Sequence, residues 1–506
     1  MEPAVHQTGI TLTGELEHDL FLLKEKFDRC SDIVCRTICS GNQEIAVAVY
    51  LDGLVDDMRI ESELIKPLMS QSELFANPGR DAQLELPLHA IAHADQFETT
   101  DHIEDATTAV CKGATAVLIS GVPQIHLAYL KKWEQRAVEE PITEAVIRGP
   151  RDGFIENLRV NTTLIRRRLP TADLKMEPMQ VGRISRTELA IVYLDSIVMP
   201  GLVDEIKSRI SRIDMDAVLE SGYIEEMICD SHFTIFPQMI STERPDRVAA
   251  SILEGRAAII VDNTPFVLIA PSLITDVLQA NEDYYQNFIV STIMRWLRLI
   301  LTFCALTFPS IFIAVSTFHQ EMIPTTLLLS IASSRENVPF PALVEALLME
   351  AAFEALREAG IRLPRPAGQA VSIVGALVIG QAAVQAGIVS ATLIIVVSFT
   401  GIASFIFPLY NQGLAIRMLR FPLMLMAGML GLYGIFLGLL LLLAHLCKLR
   451  SFGVPYLTPL SPLHVSDLKD VFVRAPWTHM TKRPAATGKV NRRRMVKLPP
   501  RPEPPV

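Results

Sequence analysis

Hydrophobic and polar positions are distributed very unevenly along the 506 residues of this chain. Three runs lack any Asp, Glu, Lys or Arg: Leu299–Gln320 (22 residues), 366–416 (51 residues) and Phe421–Cys447 (27 residues). A bilayer-crossing helix needs about 20 mostly apolar residues. The longest run therefore accommodates two spans and a connector, and each of the others accommodates one. The pattern predicts a first span from Ile289 to Ser316, with Arg295 and Arg298 near its amino end at the cytoplasmic interface or against protein, and Trp296 as an interfacial anchor. Met322–Ser334 is short and contains Pro324, and is read as a re-entrant segment. Ile388–Tyr410 and Phe421–Leu446 are read as plain spans.

Two segments between them carry more than apolar length. Pro341–Ala359 predicts an amphipathic helix, interfacial or cavity-lining. Glu350, Glu354, Arg357 and Glu358 share one side, while Glu345 stands alone on the apolar side. A carboxylate on an apolar face is costly, so Glu345, with Glu350 and Glu354, is a candidate for gating or coupling; a cap or subunit contact is the competing reading of Glu345. Val371–Gly387 predicts a helix with two faces. Gly375, Ala376, Gly380, Ala383 and Gly387 form a small-residue side suited to close packing. Val374, Val378, Gln381 and Gln385 form the opposite side and are candidate pore-lining residues; interhelical hydrogen bonding is the alternative for the two amides.

The first 287 residues alternate in the manner of an α/β region and contain a duplication. Val49-Tyr50-Leu51-Asp52 recurs as Val192-Tyr193-Leu194-Asp195, at an offset of 143. Gly113–Pro123 resembles Gly255–Pro265 at an offset of 142. Two matches at nearly one offset predict two related subdomains. Each has a strand (Ile45–Tyr50; Leu189–Tyr193) and a later strand pair (Ala114–Ile119 with Gln124–Tyr129; Ala257–Val261 with Pro265–Ile269). A helix over Phe154–Arg168 ends in Arg166-Arg167-Arg168, where three cations suit the negative end of the helix dipole or, in a second reading, an acidic neighbour subunit or lipid headgroups. Cys30, Cys35 and Cys39 are placed in a helix.

The fold class is thus an α/β cytoplasmic region of two related subdomains followed by an α-helical multi-pass transmembrane domain. The expected boundaries are 1–147, 148–287, a membrane domain over 288–447, and a basic, Pro-rich tail over 448–506. Net charge is −9, but the tail carries 12 Lys+Arg against 3 Asp+Glu. Such a tail after the last span favours the cytoplasmic side. Four full spans with both ends inside are therefore expected over five. The scarcity of aromatics among the tail cations favours a membrane surface over nucleic acid, and no nucleic-acid partner is expected. Seven Cys without a pairing pattern and a start without a signal peptide predict a reducing compartment.

Enzymatic constellations are not evident. There is no phosphate-binding Gly-rich loop ending in Lys-Ser/Thr and no His-Glu-x-x-His, and His89 and His93 have no evident third ligand. No catalytic residue, metal site or cofactor is assigned, and the chain is expected not to be an enzyme.

Several longer motifs resemble one family. His319–Thr325 (HQEMIPT), Ser333–Pro341 (SSRENVPFP), Leu347–Glu350 (LLME), Gly368–Gly375 (GQAVSIVG), Ile379–Gly387 (IGQAAVQAG), Arg148–Arg159 (RGPRDGFIENLR) and Glu243–Ala249 (ERPDRVA) look like those of the A subunit of GerA-type spore germinant receptors. The resemblance runs from about residue 15 to 455, and the tail beyond Tyr456 departs from it. It implies a spore germination role in the spore inner membrane, beside a transporter-like B subunit and a lipoprotein C subunit. It further implies a homo-oligomer ring in the lipid bilayer that conducts monovalent cations when germinant is sensed. A stage V sporulation paralogue acting as an auxiliary channel, a secondary transporter and a non-conducting receptor scaffold are the alternatives.

Overall fold

The computed structural model describes residues 12–40, 43–70, 97–130, 140–141, 143–144, 146–362 and 380–496. Its first half contains two antiparallel five-stranded sheets of identical topology. β1 (Ile33–Ser40), β2 (Gln43–Leu51), β3 (Phe97–Thr100), β4 (Thr115–Ile119) and β5 (Ile125–Ala128) lie in the order β1-β2-β4-β5-β3. β6 (Leu174–Val181), β7 (Thr187–Leu194), β8 (Ile240–Thr242), β9 (Ala257–Val261) and β10 (Val267–Ala270) lie in the order β6-β7-β9-β10-β8. The register repeats as well. Ala46 faces Ile119 and Val49 faces Ala116 in the first sheet; Leu189 faces Val261 and Val192 faces Ala258 in the second. The sequence duplication is therefore a structural one.

Both faces of the central strands are covered, which explains their near-continuous apolar character. In the first sheet, Val47, Val49 and Leu51 pack under α1 (Leu16–Lys26) and α2 (Ile103–Cys111). Ala46, Ala48 and Tyr50 face Ile60, Leu64 and Leu68 of the helical stretch 57–70. In the second sheet, Ala190, Val192 and Leu194 lie under α3 (Leu158–Arg168) and α6 (Pro245–Ile252). Leu189, Ile191 and Tyr193 face α4 (Leu202–Ile210) and α5 (Ser221–Ile228). Cys35 and Cys39 lie on strand β1 and Cys30 precedes it, which corrects their placement in a helix. The alternation of β1 is blurred because several of its residues, Arg36 and Thr37 among them, are exposed.

A buried ion pair joins the two sheets. Arg166, at the end of α3, donates from Nε and Nη2 to the two carboxylate oxygens of Asp32, at 2.9 and 2.8 Å, and both side chains are buried. Its Nη1 also donates to the carbonyls of Thr171 and Leu174. Arg166 stands at the helix end, as expected, and its guanidinium spans the two subdomains within one chain. Arg168 instead pairs with Asp152.

The second half is helical: α7 (Phe288–Thr317), α8 (Thr325–Arg335), α9 (Ala342–Arg362), α10 (Ala391–Ala403) and α11 (Tyr410–Lys448). α7 is long and apolar enough to cross a membrane, α11 is so when its 39 residues are taken together, with mean hydropathy 2.2 in each case, and α10 has 13 residues. α11 is not straight. Gly431 has φ +63° and ψ −142°, outside helical geometry. Beyond it the chain doubles back: a Cβ on Gly438 would lie 2.6 Å from Leu423 Cδ1, although a straight helix separates residues fifteen apart by about 22 Å. Ala415 and Leu419 correspondingly pack with Leu442, Leu446 and Leu449. The expected single span over Phe421–Leu446 is thus a helical hairpin that turns at Gly431, with Gly434 against the Met426 backbone and Gly438 against the Leu423 side chain.

Both ends of the helical half lie against the second sheet domain. So does the connection between α10 and α11, where Leu409 is buried in the core formed with α3 and α6. After α11, the short strands β11 (Arg450–Ser451) and β12 (Val454–Pro455) enter that domain, with Ser451 Oγ donating to the Gln238 carbonyl at 2.5 Å. The basic tail then folds back onto it, Arg483 Nε donating to the Leu253 carbonyl at 2.7 Å. At the start of α7, Arg295 and Arg298 both pair with Asp283, and Arg295 also with Asp470 of the tail, which accounts for two cations so close to an apolar run.

Candidate functional site

The charged residues of the helical half are collected rather than scattered. Glu350 and Glu354 stand one turn apart on α9, and Arg357 follows three residues later. α11 presents Arg417 and Arg420, also on one face. Glu350 Oε2 accepts from Arg420 Nη1 at 2.6 Å, and both side chains are wholly buried. Glu354 bridges the others: Oε1 lies 3.3 Å from Arg420 Nη2 and 3.5 Å from Arg357 Nη1, and Oε2 lies 3.8 Å from Arg417 Nη1. Arg357 also donates to Ser404 Oγ and packs over the Phe353 and Phe405 rings. α11 therefore covers the polar side of the predicted amphipathic helix at Glu350 and Glu354, which corrects the interfacial or cavity-lining expectation at Glu350, while Glu358 stays exposed beside Arg362.

Two carboxylates against three guanidinium groups leave this cluster with one net positive charge. Glu350 Oε1, Arg417 Nε, Arg420 Nε and both amide atoms of the neighbouring Gln412 have no hydrogen-bond partner. Charges withdrawn from water are costly unless paired, and breaking such a pair costs more than either partner is worth alone. The cluster is consequently a buried charged joint between α9 and α11, in which loss of one partner leaves the others uncompensated.

Glu345 occupies a second joint. Its Oε1 lies 3.0 Å from Arg335 Nη2 at the end of α8, and its Oε2 accepts from the Ser390 backbone N–H at 3.1 Å. One carboxylate thereby ties α8, α9 and the first turn of α10 together. Its position on the apolar side of the helix is explained by this internal partner.

The segment 380–385 is helical and ends in a turn at 386–387. Gly380 is buried, and a Cβ there would lie 4.0 Å from Ile394 of α10. Ala383 packs into the apolar core of the helical half. Gly387 has φ +65°, with the Asn337 carbonyl oxygen 3.1 Å from a built Cβ. Gln381 and Gln385 are exposed on the outer side of this chain. Val374, Val378, Gly375 and Ala376 lie outside the described residues, as do His89 and His93. Among the described residues no group of His, Cys, Asp and Glu is arranged to hold a metal ion.

The structure thus brings Glu350 and Glu354 together and sets Glu345 and the two Gln residues apart. Arg335, Arg357, Arg417 and Arg420 were not singled out as site residues from sequence. The available signal was charge at helical spacing beside long charge-free runs.

Below the helices a third charged group anchors them to the sheet domain. Asp283 receives Arg295 and Arg298, and Asp470 accepts from Arg295 and from the Tyr284 hydroxyl. Burial holds the Asp470 carboxyl above its ordinary value, opposed by the adjacent Arg295 guanidinium.

Comparison with known proteins gives a consistent result. The family described as Bacillus/Clostridium GerA spore germination protein matches residues 22–486, so the similarity includes much of the tail that the sequence motifs left unassigned. The chain is 46% identical over 481 residues to an uncharacterized membrane protein of Bacillus subtilis, YfkQ, covering 95% of this chain and 93% of the relative. It is 44% identical over 501 residues to spore germination protein KA of the same organism, covering 98% and 90%. Spore germination protein GerLA of Bacillus cereus is 40% identical over 475 residues, covering 93% and 96%. Among solved structures, the N-terminal domain of the A subunit of the Bacillus megaterium spore germinant receptor GerK3 matches with TM-score 0.42 and 33% identity, covering 53% of this chain and 99% of that one.

Proposed function

Because the chain belongs to the Bacillus/Clostridium GerA spore germination protein family, we propose that it is the A subunit of a germinant receptor complex. In this reading several copies assemble in the spore inner membrane into a gated path for monovalent cations. It works beside a transporter-like B subunit and a lipoprotein C subunit, and it performs no chemistry of its own.

The observation that carries this reading is the outward direction of Gln381 and Gln385. Gly380 of the same short helix is buried and Ala383 half-buried, and both amides are exposed on one chain together with Ala382, Val384 and Ala386. Amides facing hydrocarbon are unfavourable. A ring of copies turns that face toward a shared axis, where amides replace part of an ion's hydration. Val374 and Val378 belong to the same proposed lining, and Gly375, Ala376, Gly380, Ala383 and Gly387 to the packing side. Glu345, Glu350 and Glu354 are the proposed coupling residues, because each links helices whose relative position a gate has to change.

The fold also supports a multi-pass arrangement. The tail packs on the sheet domain through Arg483 and through Arg474, whose Nε donates to the Asp283 carbonyl at 3.2 Å. With both flanks of the helical half on one side, the number of crossings is even. We place that side in the cytoplasm, following the tail's positive charge.

The test is conductance of the purified chain in planar bilayers, alone and with its partner subunits. Discrete single-channel steps carried by K⁺ and Na⁺ are expected. Flux that saturates with one solute, as a transporter gives, or no conductance in any combination, overturns the reading.

A further inference from the structure

A cavity of about 830 Å³ opens where the returning arm of the α11 hairpin meets the second sheet domain. We propose that it holds the phosphate of an anionic phospholipid; this rests on the reading of α11 as embedded in a bilayer. The uncharged run of α11 ends at Cys447, so Lys448 and Arg450 in the cavity wall stand at headgroup depth. Both are exposed, and neither has an ion-pair partner among the described residues.

The remaining charges of the wall are two carboxylates that share one guanidinium, so with Lys448 and Arg450 the wall keeps one net positive charge. Arg209 pairs with Glu205 at 2.8 Å and with Asp230, and stacks over the Phe452 ring. The two carboxylates are thus turned toward Arg209, and Lys448 and Arg450 set the sign at the mouth. Basic pockets beside helices at a membrane surface are suited to anionic headgroups.

The apolar rim selects a lipid over free phosphate. Phe233 lines the cavity and is 99% exposed, and Ile235 is 49% exposed. Thr234, between them, is held to the α11 arm by a 2.9 Å hydrogen bond with His445 Nε2. The segment carrying Phe233 is thereby held beside an apolar helix, and its free phenyl ring is placed to meet acyl chains, as interfacial aromatic residues do.

The experiment measures binding of phosphatidylglycerol, phosphatidylcholine with the same acyl chains, and inorganic phosphate to the full chain in detergent. Phosphatidylglycerol is expected to bind more tightly than the other two. Lys448→Gln with Arg450→Gln is expected to weaken it about thirtyfold, while Lys24→Gln with Lys112→Gln, an equal loss of charge on the first sheet domain, leaves it unchanged. Phe233→Ser, at a position with no packing to lose, is expected to weaken a long-chain phosphatidylglycerol and spare a six-carbon one. Equal binding of the two lipids, unchanged affinity in K448Q/R450Q, an equal loss in the control pair, or phosphate binding as tight as lipid binding would each overturn the proposal. So would displacement of the lipid by an acidic peptide at equimolar concentration, which assigns the cavity to a protein partner.

Discussion

Arg420 Nη1 and Glu350 Oε2 lie 2.6 Å apart with both side chains wholly buried, although the residues are 70 positions apart in sequence. Truncating one partner strands the other charge. Glu350→Leu or Arg420→Leu alone should therefore cost ~3–5 kcal/mol, whereas the two changes together should cost less than either single substitution. Denaturation of the four proteins in detergent, treated as a double-mutant cycle, measures the coupling. A sum of single effects equal to the double would show that the two groups do not interact.

Arg166 and Asp32 make the equivalent contact between the two sheet domains. Arg166→Ala leaves Asp32 buried and unpaired, with an expected loss of ~3–5 kcal/mol. Arg166→Lys should recover only part of it, since an ammonium cannot reproduce the two-pronged contact or the bonds to the Thr171 and Leu174 carbonyls. Hydrogen exchange should show protection lost first at β1 and β6, where the sheets meet.

Glu225 should impose a pH dependence. Burial, reinforced by the nearby Glu220 charge, pushes its carboxyl from an ordinary 4.5 up to about 7. Between those values the folded state binds more protons than the unfolded one, so this group's contribution falls as pH rises from 4.5 to about 7. Glu225→Gln is expected to be more stable than the parent by ~1–3 kcal/mol at pH 8 and equal to it at pH 4. Urea denaturation at the two pH values checks the sign.

How far the sequence exposes this architecture depends on the distance over which each contact acts. Ile45–Tyr50 and Ala257–Val261 are legible because strands covered on both faces need apolar residues throughout. The shared offset of Val49 and Val192 makes the duplication legible, and it persists in the register of the sheets. Amphipathic spacing gives the helix that holds Glu350 and Glu354, but no periodicity names a partner 70 residues away, so the face that binds Arg420 reads as a solvated one. Arg166 is hidden for the same reason, with Asp32 134 residues distant. The α11 hairpin is hidden differently: an uncharged run gives a length, and length does not distinguish one crossing from a turn at Gly431.

That turn can be tested with a cross-link. Leu423→Cys with Gly438→Cys should form a disulfide on mild oxidation, because the two positions touch across the hairpin. A straight helix would hold them about 22 Å apart and give none. Gly431→Val should abolish the cross-link when added to the pair, since the added side chain meets His319 and Phe318 and requires φ +63°.

The central claim, that the amides of Gln381 and Gln385 border a shared aqueous path between copies of the chain, is tested most directly by cysteine accessibility in the conducting state. Gln381→Cys and Gln385→Cys proteins, reconstituted in planar bilayers, should react with a charged methanethiosulfonate reagent and lose most of their current, while Ala383→Cys on the packed side should not respond. Unmodified current at both Gln positions in every state would contradict the account.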